Sequence, residues 1–223
     1  MDKIKNIELF SLENTIAKSL LLSVEYPWEI LDKIGEFILE KALELKKEEY
    51  ILKGDNIWIH KTAKIADNVS ITGPCIIDEN AEIRPCAYIR GNCIIGKNAV
   101  LGNSCECKNS IMMDNSQAPH FNYLGDSILG YKAHTGAGVI TSNLKSDKTL
   151  IVIRTTNNIY KTNRKKMGAI LGDNVEVGCN TVLNPGSIVG KNTNIYPLSS
   201  VRGVIKENSI LKNNNVLIKK ENK

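Results

Sequence analysis

Apolar residues recur along this chain with a period of six. From Ile59 the column reads Ile59, Ile65, Ile71, Ile77, Ile83, Ile89, Ile95, Leu101, Cys107 and Met113, and every member is apolar. Four positions after each, the residue is usually small or β-branched: Ala63, Val69, Cys75, Ala81, Ala87, Cys93, Ala99, Cys105. The column restarts as Leu171, Val177, Leu183, Val189, Ile195 and Val201, with Val175, Thr181, Ser187, Thr193 and Ser199 four residues on. A period of six fits neither an α-helix nor the plain alternation of a half-buried strand. It fits a coil of short strands: each hexad forms one flat side of a triangular prism, three hexads close a turn of about 18 residues, and turns stack at the ~4.8 Å spacing of paired strands. The large aliphatic residue fills the interior and the small one sits where the chain turns a corner. Gly96-Lys97-Asn98, Gly172-Asp173-Asn174 and Gly190-Lys191-Asn192 supply the residues that tolerate φ > 0 at such corners. The expected fold class is therefore mainly β, a left-handed parallel β-helix of hexapeptide repeats over residues 51–211.

Residues 1–50 follow another rhythm. Ser11 is placed to cap a helix over residues 12–23, and Pro27 stands at a first helical position. Ile30, Leu31, Ile34, Phe37, Ile38, Ala42 and Leu45 then recur at spacings of three and four. Two helices are predicted. Their apolar faces bury most simply against the open first coil, as an N-terminal helical cap that shields its strand edges. After Val201 the hexads decay, and residues 212–223 read as a basic C-terminal tail.

The repeat breaks twice, and chemistry is best sought where a regular scaffold fails. Met113 calls for an apolar residue at 119 but meets Pro119, and the column resumes with Leu124 and Leu129, only five apart. Thr135 and Thr141 carry it on, after which residues 144–167 hold no hexads and form an excursion loop. That loop carries Lys145, Lys148, Arg154, Lys161, Arg164, Lys165 and Lys166 against Asp147, or 7 − 1 = +6, more than the 29 − 24 = +5 of the whole chain. So local an excess suits either an anionic partner or a solvated loop with no ligand. Nucleic acid is not the expected partner, because no aromatic platform, helix-turn-helix or zinc motif accompanies the charge.

Composition narrows the picture further. Aromatics make up only 5% of the chain, so its core is built from small aliphatic side chains. No run approaches the ~20 apolar residues of a membrane span, and no signal-like stretch follows the N-terminus, so a soluble cytoplasmic protein is expected. The six cysteines include no C-x-x-C pair and read as reduced core filler, with Cys75 and Cys93 stacked one coil apart. His60, His120 and His134 lie 60 and 14 residues apart, which does not align three imidazoles for a zinc site of the hydratase kind within one chain. No metal is expected, and His60 reads as structural.

Arg90 and Lys108 are 108 − 90 = 18 residues apart, one coil, and each follows an inward residue, Ile89 and Cys107. Two outward cations on adjacent coils can clamp a phosphate, Arg as a fork and Lys as a point charge, or be an ordinary solvated pair. The surrounding motifs are more specific. Glu106-Cys107-Lys108-Asn109, His120-Phe121-Asn122-Tyr123-Leu124-Gly125-Asp126 and Gly136-Ala137-Gly138-Val139-Ile140-Thr141-Ser142-Asn143 resemble, in order and spacing, the acetyltransferase half of the bifunctional bacterial N-acetylglucosamine-1-phosphate uridylyltransferase and glucosamine-1-phosphate acetyltransferase family. The resemblance covers about residues 57–211 and includes the five-residue step.

The resemblance implies a CoA-dependent acyltransferase that N-acetylates an amino-sugar phosphate or a nucleotide sugar. It makes His120 the catalytic base, since the substrate ammonium must lose a proton before it attacks the thioester and an imidazole titrates near neutral pH. Asn143 and Tyr123 would shape the acceptor site, and Arg90 with Lys108 would hold the sugar phosphate. A backbone N–H or the Asn143 amide would stabilise the oxyanion. Acetyl-CoA would lie along Ala137, Cys179 and Pro197, although Pro197 replaces a small residue of the family pattern. His134 stands where the family has an Asn beside the acceptor. The resemblance also implies a homotrimer with sites in the grooves between subunits, and the basic loop is long enough to reach a neighbour. The family's nucleotidyltransferase domain has no counterpart, so uridylyl transfer is not expected. The loop after Asn143 reads Leu144-Lys145-Ser146 in place of the usual continuation. The alternative is a non-catalytic trimer descended from such an enzyme, binding sugar phosphates or serving a structural or regulatory role.

Overall fold

The computed structural model describes residues 2–155, 157–213 and 216–220. Among the described residues three sheets run along the coil axis, two of nine strands and one of seven, and within the repeat the strands pair in parallel with the next coil. Face A holds strands such as Cys75–Ile77, Cys93–Ile95, Ser110–Met112, Ile128–Leu129, Ala169–Leu171 and Ser187–Val189. Face B holds Val100–Asn103, Gln117–His120, His134–Thr135, Glu176–Val177 and Asn194–Ile195, and face C holds Tyr88–Arg90, Glu106–Lys108, Tyr123–Gly125, Ile140–Thr141 and Val182–Leu183. This is the stacked parallel β-helix that the hexads predict.

The interior is the aliphatic column, with Ile77, Ile83, Ile89, Ile95, Leu101 and Cys107 all buried. Where the column turns polar, the coil satisfies the hydroxyl itself: buried Thr141 donates to the Tyr123 carbonyl at 3.0 Å and accepts from the Gly125 amide at 2.9 Å. Asn80, Asn98, Asn115, Asn174, Asn192 and Asn208 turn the corner between faces A and B with φ between +53 and +60°, the left-handed region that Asn tolerates.

The register differs from the sixfold reading at one place. Ile77 pairs with Ile95, but Ile95 pairs with Met112 and Met112 with Leu129, so the steps are 18, 17 and 17 residues. Met113, expected inside, faces outward among the residues covering face A. Pro119 breaks nothing; it lies in the straight strand Gln117–His120. The shortening falls at the corner between faces C and A. An earlier coil turns there through Gly91 and Asn92, both at positive φ, whereas the next two turn on Asn109 and Asp126 alone, at φ +47 and +49°.

The N-terminal residues form α1 (Asn6–Leu9), α2 (Lys18–Leu22) and α3 (Ile34–Ala42), with single 3-10 turns at Leu12–Asn14 and Pro27–Ile30. The helix expected over residues 12–23 is thus divided, and Ser11 makes no capping hydrogen bond. The segment lies lengthwise along the outer side of face A, not over the end of the first coil. Ile4, Leu9, Phe10, Leu21, Trp28, Ile34 and Ile38 bury against the outward Ile76, Ile94, Ile111, Ile128, Ile170 and Ile188. The edge at the first coil is covered by the antiparallel strand Tyr50–Leu52 on Ile57–His60. The last coil ends in an antiparallel pair, Ser209–Lys212 with Val216–Lys219. Part of the expected basic tail is therefore strand, while residues 214–215 and 221–223 lie outside the described residues.

The excursion loop is not an open arm either. Its hairpin, Val152–Arg154 with Ile159–Lys161, folds back over the helical segment. Ile151, Ile153 and Met167 are buried there, and the Tyr160 ring packs 5.3 Å from Tyr26 and 6.1 Å from Trp28. Arg164 spends its charge internally as a fork on Asp32, with both contacts at 2.6 Å. Cys75, Cys93, Cys105 and Cys107 fill the core as expected, but Cys86 and Cys179 are exposed because they stand at corners between faces B and C. No helix among the described residues is long and apolar enough to cross a membrane.

Candidate active site

Face C brings four of the sequence-selected residues together. Cys107 pairs with Ile89, which sets Lys108 beside Arg90 on adjacent coils. Glu106 pairs with Tyr123 on the following coil, and Asn143 leaves the coil after that. The cations are not bare: Arg90 donates to Glu106 at 2.6 Å and lies 5.8 Å from the Tyr88 ring centroid, and the Lys108 ammonium is 3.8 Å from Asp126. Two cations thus stand among two carboxylates, and the Arg90 guanidinium is already engaged by Glu106.

The centre of the cluster is Asp126, only 4% exposed. It accepts the Asn109 amide at 2.8 Å through Oδ1 and the Asn143 amide at 2.5 Å through Oδ2. The same Asn143 nitrogen lies 3.3 Å from the Tyr123 hydroxyl. Burial, with the Glu106 and Asp126 carboxylates nearby, lifts the Tyr123 pKa above its ordinary value, so the phenol keeps its proton and can donate it to a ligand. Gly125 makes room for this arrangement, since a Cβ there would meet the Tyr123 hydroxyl at 2.6 Å and the Asn143 amide nitrogen at 2.8 Å. Asn109, Gly125 and Asp126 were not selected from the sequence. The signal that could have found them is the missing residue at two successive corners, which draws Asn109 and Asp126 into the wall of the site.

His120 ends its strand at the corner between faces B and C and is exposed, and its ring makes no hydrogen bond among the described residues. Ala137, Cys179 and Pro197 stand at the same corner of the next three coils: the His120 carbonyl accepts from Gly138, that of Ala137 from Asn180, and that of Cys179 from Leu198. The imidazole and the proposed thioester residues therefore form one column along one edge. His134 lies apart from the face C cluster. It projects from face B, where Nδ1 sits 2.8 Å from Glu176 beside an open cleft of about 550 Å³ lined also by Asn115, Gln117 and Lys132. A cleft of about 540 Å³ at the far end of the coil, between Lys3, Val204 and Leu217, contains none of these residues. His60 bonds Thr62 at 2.8 Å and stacks edge-on against Tyr50.

Residues 71–189 match the model of the GMPPB C-terminal domain family, which is 189 − 71 + 1 = 119 of 223 positions. The chain belongs to this family. It is also similar to GlmU, described as a bifunctional protein, of Methanococcus vannielii, at 34% identity over 97% of this chain and 61% of that protein. A bifunctional sugar-1-phosphate nucleotidylyltransferase/acetyltransferase of Sulfurisphaera tokodaii is 30% identical over 88% of this chain and 54% of its own length. The chain spans little more than half the length of these relatives, and the GlmU resemblance read from the motifs holds over nearly all of it. Among solved structures, the N-acyltransferase AntD of Bacillus cereus, crystallised with dTDP-4-amino-4,6-dideoxyglucose and coenzyme A, is similar over 75% of this chain and 82% of its own, at 18% identity and a TM-score of 0.42.

Proposed function

We propose that the chain is a CoA-dependent N-acetyltransferase acting on an amino-sugar phosphate, of which glucosamine-1-phosphate is the model acceptor. The observation that carries this reading is an exposed, uncommitted imidazole at the corner between faces B and C. Face C, which begins past that corner, carries stacked Arg90 and Lys108 with Tyr123 and Asn143; along the corner itself the column continues from His120 through Ala137, Cys179 and Pro197. The names of its relatives, GlmU and sugar-1-phosphate nucleotidylyltransferase/acetyltransferase, agree with it.

In this mechanism Arg90 and Lys108 bind the phosphate and Tyr123 donates to the sugar. His120 takes a proton from the ammonium, and the amine attacks the thioester carbonyl. That attack forms the C–N bond and a tetrahedral intermediate whose nitrogen gives up its second proton to solvent; collapse then restores the carbonyl and breaks the C–S bond, and the thiolate of CoA leaves with the proton returned from the imidazolium. Acetyl-CoA is co-substrate, and the chemistry asks for no metal. The active assembly in this reading is a homotrimer. Exposed apolar side chains along the edge between faces B and C support it: Phe121 at 60% and Leu198 at 74% exposure, both at positive φ. Bulky residues held in that strained region mark a surface with work to do.

The test is release of free CoA thiol from acetyl-CoA with glucosamine-1-phosphate and a panel of amino sugars. His120→Ala is expected to lower kcat by about 10²–10⁴-fold. No release with any acceptor, together with measurable sugar-phosphate binding, would instead establish the non-catalytic binding protein. A monomer by light scattering would refute the trimer.

A further inference from the structure

Asp126 has no part in the transfer steps above, yet three side chains of the site converge on it. An amide side chain offers two N–H donors on one nitrogen and a single carbonyl acceptor. At Asn143 that nitrogen faces Asp126 Oδ2 at 2.5 Å and the Tyr123 hydroxyl at 3.3 Å, so both donors are engaged inside the protein. The opposite flip would press the Asn143 carbonyl against a carboxylate oxygen, two acceptors with no proton between them. Asp126 is itself fixed: its other oxygen holds Asn109 at 2.8 Å, its backbone carbonyl takes the Gly168 amide at 2.9 Å, and only 4% of it is exposed. Asn143 Oδ1 has no protein partner among the described residues and is not a buried orphan, a condition confined there to Asn6 Oδ1. The carbonyl is therefore the pole of Asn143 that remains open to a ligand.

We infer that Asp126 is a positioning residue that locks the Asn143 amide with its carbonyl oxygen free, so that Asn143 accepts a hydrogen bond from the acceptor's amine and does not donate to the oxyanion. This rests on the acyl-transfer reading for its consequence, though the lock itself does not. Of the two oxyanion donors left open by the sequence, a backbone N–H or the Asn143 amide, it removes the second and leaves that task to a backbone N–H. It also gives the site a preference: a primary amine offers the hydrogen that Oδ1 needs, and a hydroxyl in its place offers fewer donors and no positive charge for the nearby carboxylate.

Two measurements test the inference. In steady-state kinetics, Asp126→Asn releases the amide to flip, and the KM for the amine acceptor is expected to rise about tenfold or more, the loss of one charge-assisted hydrogen bond, with the KM for acetyl-CoA unchanged. An acceptor KM within twofold of wild type overturns the inference. The second measurement needs no activity. Asn143→Asp alone sets two carboxylates face to face and lowers Tm by several degrees; adding Asp126→Asn exchanges the partners, restores a donor against an acceptor, and restores the Tm. Failure of the exchanged pair to recover Tm, or to fold where either single variant folds, overturns the lock. If the wild-type protein acylates no amine, the function reading falls while this cycle still decides how Asn143 is held.

Discussion

Replacing Gly125 by Ala perturbs the site by one methyl group at a position where the backbone permits it, since Gly125 is not among the residues at positive φ. The new Cβ would lie 2.6 Å from the Tyr123 hydroxyl, 2.8 Å from a Tyr123 ring carbon and 2.8 Å from the Asn143 amide nitrogen. Two effects oppose each other. An Ala for Gly at a compatible position stabilises by about 0.4–1 kcal/mol through the unfolded chain, and overpacking costs about 1–3 kcal/mol. The net loss is about 0–2.5 kcal/mol, or about 0–10 °C in Tm for a domain of this size. The low end is expected, because the half-exposed Tyr123 ring can swing outward while Asn143 stays held by Asp126. What does not survive is the 3.3 Å contact between Asn143 and Tyr123. Thermal unfolding should show a folded protein with a Tm near or slightly below wild type, and thiol-release kinetics should show an acceptor KM raised about tenfold. A Tm raised by the full Gly-to-Ala increment, with acceptor KM unchanged, would mean that no methyl-sized conflict exists at Gly125, and the reasoning would fail.

Other predictions follow from the same geometry. Leu129→Ala removes a fully buried side chain from the column and should cost about 2–5 kcal/mol in urea unfolding; a loss under 1 kcal/mol would place Leu129 outside the core. Arg90→Ala and Lys108→Ala should each raise the KM of a phosphate-bearing acceptor about tenfold or more, leaving that of an unphosphorylated amino sugar unaffected, and equal effects on both acceptors would refute a phosphate clamp. The Arg164 hydrogen bonds hold the Asp32 carboxyl below the usual carboxylate range. That contribution is complete above the ordinary carboxylate pKa of about 4 and disappears as pH falls through the lower folded value. The Tm gap between wild type and Asp32→Asn should therefore be steady from pH 7 to about 5 and close in stronger acid, and a gap that widens in acid would contradict the sign.

The coil itself was readable because its interior demands one apolar side chain every six residues, and that demand is written without interruption from Ile59 to Cys107. The position of the shortened corners was not readable, because Met112 and Met113 are both apolar and either can be taken as the inward residue. Only pairing with Ile95 and Leu129 separates them. The destination of the N-terminal segment was present but overlooked. Strands of face A read Cys-Ile-Ile, Ser-Ile-Met and Ala-Ile-Leu and are buried throughout, whereas Tyr88–Arg90 on face C alternates. An unbroken apolar run signals cover on both sides. For the site, the stacked cations were legible from their 18-residue spacing. The roles of Asn109 and Asp126 were not, because their value comes from a corner that lacks a residue. The hairpin of the excursion loop hid behind its charge: the lysines draw attention, and Ile151, Ile153 and Tyr160 do the packing.

The strap along face A changes how this coil comes apart. Stacked repeats that touch only their neighbours lose their terminal units first and unravel inward. Here Asp2 accepts from Thr155, Asn158 and Tyr160 and Lys3 pairs with Glu207 near the last coils, Asp173 takes the Ser11 amide midway, and Tyr50 bonds Asp78 at the first. Both termini of the stack are tied to one continuous ribbon, so neither can fray without loosening the other. A single protease cut between α2 and α3 would turn one all-or-none melting transition into a broad, progressive one.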